Sequence, residues 1–92
     1  MIVYNVTFSV DREIAEEWLA WMKEKHIPSV SELFESCKIL KVLSHDDDRT
    51  LSFAVQYLSK SLEDIQKYSL NDDIEKRYGD RVLSFPTLLE EV

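Results

Sequence analysis

The sequence predicts an α+β fold: a four-stranded antiparallel sheet carrying two helices, in the order β-α-β-β-α-β. Three observations predict it. Residues 2–10 and 51–58 alternate with the period of a strand. Residues 14–26 place Ile14, Ala15, Trp18, Leu19, Trp21, Met22 and His26 on one arc of a helix, with Glu13, Glu16, Glu17, Ala20, Lys23 and Glu24 opposite. Polar, capping and glycine signals then divide the rest of the chain into a second helix and two further strands.

From the N-terminus, Ile2, Tyr4, Val6, Phe8 and Val10 alternate with Val3, Asn5, Thr7 and Ser9, giving a strand with two different faces. Asp11 is placed to cap the first helix, and Glu13 in its first turn complements the helix dipole. Pro28 disfavours helical geometry at Ile27, so this helix is expected to break just after His26. Ser29-Val30-Ser31-Glu32 has capping-box spacing, and a short helical piece through Val30, Leu33, Phe34 and Cys37 should come next. Residues 37–43 read as the second strand, 44–50 (SHDDDRT) as a polar hairpin connection, and 51–58 as the third strand.

Ser61-Leu62-Glu63-Asp64 opens the second helix. Its apolar stripe changes face, from Leu62, Ile65 and Tyr68 to Leu70, Ile74 and Tyr78. An interruption is therefore expected at Ser69 and Asn71, with Gly79 ending the second piece. Residues 81–89 form the last strand, and Pro86 within it, lacking a backbone donor, assigns it to a sheet edge. Two right-handed crossovers set strands one and three side by side in the middle, read as parallel, with two and four outside. This is the ferredoxin-like sandwich, with both helices on one sheet face. The other face stays uncovered, and strands two and four carry large apolar residues on both sides. Packing two open faces together as a two-fold homodimer is the simplest solution.

Composition narrows the function classes. The 92 residues make a single domain, 1–92, and one Gly and two Pro leave no room for a linker or disordered tail. A net charge of −7, with 11 basic residues scattered among 18 acidic ones, argues against nucleic acid and anionic membrane surfaces. No apolar run approaches the roughly 20 residues of a membrane helix. The N-terminus reads as a strand rather than a signal peptide, and the single Cys37 fits a reducing compartment, so the cytoplasm is the expected address.

YNVT at the N-terminus, the helix WLAWMKEKHIP, the strand AVQY and the late RYGDRV together resemble an uncharacterised bacterial family, a domain of unknown function. The chain is also similar in outline to the dimeric α+β barrels, which include small monooxygenases, haem-degrading enzymes and muconolactone-isomerase-like proteins. His26 and Pro28 are similar to the H-x-P of EthD-like barrel proteins. Asn5 is similar to an Asn in the haem-degrading members, which pair it with a Trp late in the third strand and a His in the second helix. Here the third strand ends in Gln56-Tyr57 and the second helix has no His, so the resemblance does not carry haem chemistry over.

The candidate site residues each have two readings. His26, on a buried stripe, could act as a general acid or base, or be a helix-end histidine satisfied by a backbone carbonyl or the dipole. Asn5 and Gln56 on the central strands should share a face with Thr7 and Ala54, where they orient a ligand or form an internally satisfied polar cluster. Trp18, Trp21 and Tyr57 could line a flat ligand or simply fill the core. His45-Asp46-Asp47-Asp48 holds metal-ligand types without metal-loop spacing and reads as a solvated loop, so no metal or cofactor is assigned.

Two allocations remain open. If the helices cover Ile2, Tyr4, Val6, Phe8, Phe53, Val55 and Tyr57, Asn5 and Gln56 face a partner subunit. This is the default, because it buries more apolar area. If they cover Val3, Thr7 and Ala54, the amides and His26 share one pocket. Two function classes remain, which a pocket beside His26 or a filled core would tell apart. One is a small-molecule-binding homodimeric barrel, as an enzyme or a binder, with His26 as acid/base and Asn5, Trp18, Trp21, Gln56 and Tyr57 around the ligand. The other is a non-catalytic interaction or assembly module.

Overall fold

A computed structural model describes residues 1–44, 47–67 and 71–92. Four strands, β1 (Ile2–Asp11), β2 (Ser36–Lys41), β3 (Thr50–Ser59) and β4 (Val82–Glu90), form one antiparallel sheet in the order β2-β3-β1-β4. β4 lies at an edge, where Pro86 can be accommodated. β1 and β3 are adjacent but antiparallel, which corrects the parallel pairing expected from the crossovers. The reason is topological: the first crossover makes β2 run with β1, and the hairpin then turns β3 back against both.

The period-2 alternation of β1 and β3 sorts their side chains cleanly. Val6, Phe8 and Val10 of β1, with Phe53, Val55 and Tyr57 of β3, are buried beneath the helical layer. Val3, Asn5, Thr7, Ala54, Gln56 and Leu58 therefore point to the opposite face. The larger apolar set is the one covered, as area burial favours.

Asp11 closes β1 and caps the next turn of chain, its Oδ1 accepting the Glu13 N–H at 3.0 Å. A 3₁₀ turn over Arg12–Ile14 leads into α1 (Ala15–Trp21), and the helical path then continues past Pro28 instead of breaking after His26. Met22–His26 form a π-helical turn, α2 (Ile27–Val30) adjoins it directly, and a second 3₁₀ turn spans Ser31–Leu33. In α geometry the Pro28 ring would crowd the Glu24 carbonyl four residues back. The wider turn, with the Ile27 N–H bonded to Met22 O, absorbs that conflict without ending the helix. Ser29 and Ser31 do not form the expected capping box. Their hydroxyls turn back onto the His26 and Pro28 carbonyls, at 2.6 and 3.3 Å.

The second helical layer comes in two pieces, α3 (Leu62–Gln66) and α4 (Asp72–Tyr78). Ser61 caps α3, accepting the Asp64 N–H at 3.3 Å. The expected interruption falls between these pieces; Tyr68, Ser69 and Leu70 themselves lie outside the described residues. Gly79 stops α4 with φ +55°, a left-handed conformation that suits a residue without Cβ. Ile14, Trp18 and Met22 from the first layer and Ile65 and Ile74 from the second complete the core. Among the described residues no helix is long and apolar enough to cross a membrane.

Candidate functional site

The π-helical turn carries His26 inward. Its side chain is 1% exposed, and both ring nitrogens have side-chain partners. Nε2 lies 2.7 Å from the Tyr57 hydroxyl of β3, and Nδ1 lies 2.9 and 3.2 Å from the carboxylate oxygens of Asp73 in the first turn of α4. A carboxylate only accepts, so Nδ1 carries the proton toward Asp73 and Nε2 accepts from the Tyr57 O–H. The result is an unbroken chain, Tyr57 to His26 to Asp73, that ties the sheet to both helical layers. His26 is thus satisfied by side chains, not by the backbone carbonyl or helix end considered from sequence.

The two ends of the chain differ. Tyr57 is fully buried, packed on Phe34 (ring centroids 5.3 Å apart) and Tyr4 (6.0 Å). Burial is the main force pushing its hydroxyl well above the ordinary tyrosine range, helped by the nearby Cys37 and Asp73. The neutral form is therefore the folded form. Its contribution to stability is present below about pH 10, the unfolded value, and is lost as pH rises further toward the folded value. An alkaline unfolding series in which wild type loses stability above that pH faster than Tyr57→Phe is the expected result. Asp73, in contrast, is 47% exposed. Beside it Trp21 approaches His26 (5.9 Å) and meets Tyr78 edge-on (5.7 Å), with the Arg77 guanidinium over both rings at 5.5 and 5.6 Å.

The other sequence candidates part company from His26. Trp18 is entirely buried between Phe8 (5.3 Å) and Phe53 (5.2 Å), and its indole N–H finds no acceptor among the described residues. Asn5 and Gln56 are direct cross-strand partners on the uncovered sheet face, joined by a 3.3 Å Gln56 Nε2 to Asn5 Oδ1 bond. A pocket that gathers the amides, His26 and both tryptophans is therefore corrected to two separate groups on opposite sides of the sheet. Cys37, opposite Tyr57 on β2, is half-buried, and burial raises its thiol. His45 and Asp46 of the acidic loop lie outside the described residues.

Asp73 is the member that sequence reasoning missed. It sits in the Asn71-Asp72-Asp73 run at the start of α4, where an acidic residue needs no explanation beyond the helix dipole. Away from this chain, a cleft of about 620 Å³ opens at one end of the sheet, lined among others by Ser9, Asp11, Arg49 and Arg81. Its Arg81 is already held by Asp11 (3.1 Å) and Glu13 (3.3 Å).

An α+β fold with a four-stranded antiparallel sheet, one face helix-covered and one open, with a buried Tyr-His-Asp chain, defines the class of protein. The chain belongs to the family described as a domain of unknown function (DUF4286), whose model matches residues 1–92. No curated protein matches it.

Proposed function

We propose that this protein is a homodimeric α+β barrel protein that works as an interaction and assembly module, its two open sheet faces packed together. One observation carries the reading: the face left uncovered is nearly free of charge and exposes a set of large apolar side chains. Leu83 (53% exposed), Phe85 (57%), Leu40 and Leu89 all point there, and within its strands the charged residues are Lys38 and Asp11. In a chain of net charge −7, such a face is where a like-charged copy can approach. Four strands of six to ten residues span on the order of 500 Å² before side-chain relief. That approaches the ~800 Å² each partner contributes to a standard interface. The unpaired Cys37 suits a reducing compartment, and the cytoplasm is the proposed location. Light scattering at micromolar concentration is expected to give twice 10.8 kDa; a monomer there would overturn the reading.

A second reading is favoured by the Asp73–His26–Tyr57 chain itself. An imidazole oriented by a carboxylate and bonded to a hydroxyl is the arrangement of acid/base chemistry, and π turns recur at functional sites. In this reading His26 is the acid/base of a small-molecule site entered from Asp73 and Trp21. Its test is a screened ligand whose affinity between pH 5 and 8 changes in His26→Gln; unchanged affinity and pH profile would remove it.

A further inference from the structure

Strand pairing sorts the open face into rows across the sheet. Lys38, Gln56, Asn5 and Thr87 stand in a single row from β2 through β3 and β1 to β4. Val3, Leu58 and Leu89, with Ser36, form the row on one side, and Leu40, Ala54 and Phe85, with Thr7, the row on the other. A polar stripe therefore runs between two mostly apolar rows, at right angles to the strands. Inside it, Gln56 Nε2 donates to Asn5 Oδ1 at 3.3 Å, and Asn5 Nδ2 reaches Thr7 Oγ1 in the next row at 3.4 Å. Each amide nitrogen keeps a second N–H, and the Gln56 carbonyl oxygen accepts from no described residue.

We propose that this stripe sets the register of the dimer: a second copy docks with its stripe on this one, and Asn5 and Gln56 hydrogen-bond to the same amides of the copy. The inference rests on the homodimer reading. Once the face is covered, an amide set against leucine keeps buried donors and acceptors without partners, a larger penalty than the gain from any one neutral hydrogen bond. Sliding the copy by one row does just that in one direction, placing Asn5 over Leu58 and Gln56 over Val3; in the other, Asn5 meets Ala54 and Gln56 the single hydroxyl of Thr7. A two-fold axis running with the strands between β1 and β3 avoids it. That axis brings Asn5 to the partner's Gln56, lays the mostly apolar rows on their own copies, and leaves Lys38 at the rim facing the partner's Thr87. The occupant is a second copy because the face is self-complementary in this way and carries a single acidic residue, Asp11 at its end, in a chain of net charge −7.

The test combines affinity with geometry. Asn5→Leu and Gln56→Leu, each checked for wild-type secondary structure, should each raise the dimer dissociation constant about tenfold, by stranding the remaining amides. The Asn5→Leu/Gln56→Leu double variant should return it close to wild type, since no amide is left to strand. In a Cys37→Ser background, Gln56→Cys should link efficiently to its copy through a short bis-maleimide, and Leu83→Cys, near the end of the face, should not. A dimer whose single variants bind as wild type does, or whose Leu83→Cys form links as well as Gln56→Cys, would overturn the register proposal alone. A monomeric wild type would overturn the dimer reading with it.

Discussion

Phe85→Asp is expected to convert the proposed dimer to a monomer without disturbing the protomer. Phe85 is 57% exposed on β4 and pairs with Thr7, so its ring stands on the uncovered face and contributes little to the core. In the isolated chain, aspartate at this position would remain in water. In the proposed dimer, the two-fold sets this carboxylate over the partner's Leu40, one row away from the partner's Lys38, whose ammonium stays in water at the rim. Desolvating an unpaired carboxylate costs several kcal/mol. Two of them should raise the dissociation constant at least about a thousandfold. Sedimentation or light scattering reads the mass, and circular dichroism reads the fold. A dimer of unchanged affinity would place the interface elsewhere.

His26→Ala is expected to be the most damaging single change in the polar chain, at about 3 kcal/mol. Three effects add. Removing a fully buried imidazole leaves a cavity, the Tyr57 hydroxyl loses its acceptor inside the core, and Asp73 loses its hydrogen-bonded partner. Tyr57→Phe should cost less, about 1 kcal/mol, because it takes away a donor and leaves only the His26 Nε2 lone pair without one. Asp73→Asn should be milder still: its side chain is 47% exposed, and an amide oxygen can still accept from Nδ1. Urea unfolding of the three variants gives the order directly. If Asp73→Asn proved the most destabilising, the chain would be anchored by charge at its surface end and not by packing at His26.

The local parts of this design were legible in the chain, because their causes are local. The alternation from Ile2 to Val10 and from Leu51 to Leu58, the buried arc of Ile14, Trp18 and Met22, the caps at Asp11 and Ser61, and the stop at Gly79 each arise from a few neighbouring residues. Pro86 likewise assigned β4 to an edge by the donor it lacks. Other features were settled only by the tertiary structure. Pro28 was a sound helix breaker taken alone. The chain instead widens into a π turn, which keeps the arc from Trp18 to His26 continuous against the sheet. The direction of β3 against β1 follows from the connections between the strands, a crossover and then a hairpin, and no residue within either strand encodes it. Both faces of the central strands offered apolar residues, so the separation of Asn5 and Gln56 from His26 hung on which face the helices would bury. The Asp73 partner of His26 lies 47 positions along the sequence, beyond the reach of any periodicity or cap. It was the packing of α4 beside the π turn that completed the chain from Tyr57 to the surface.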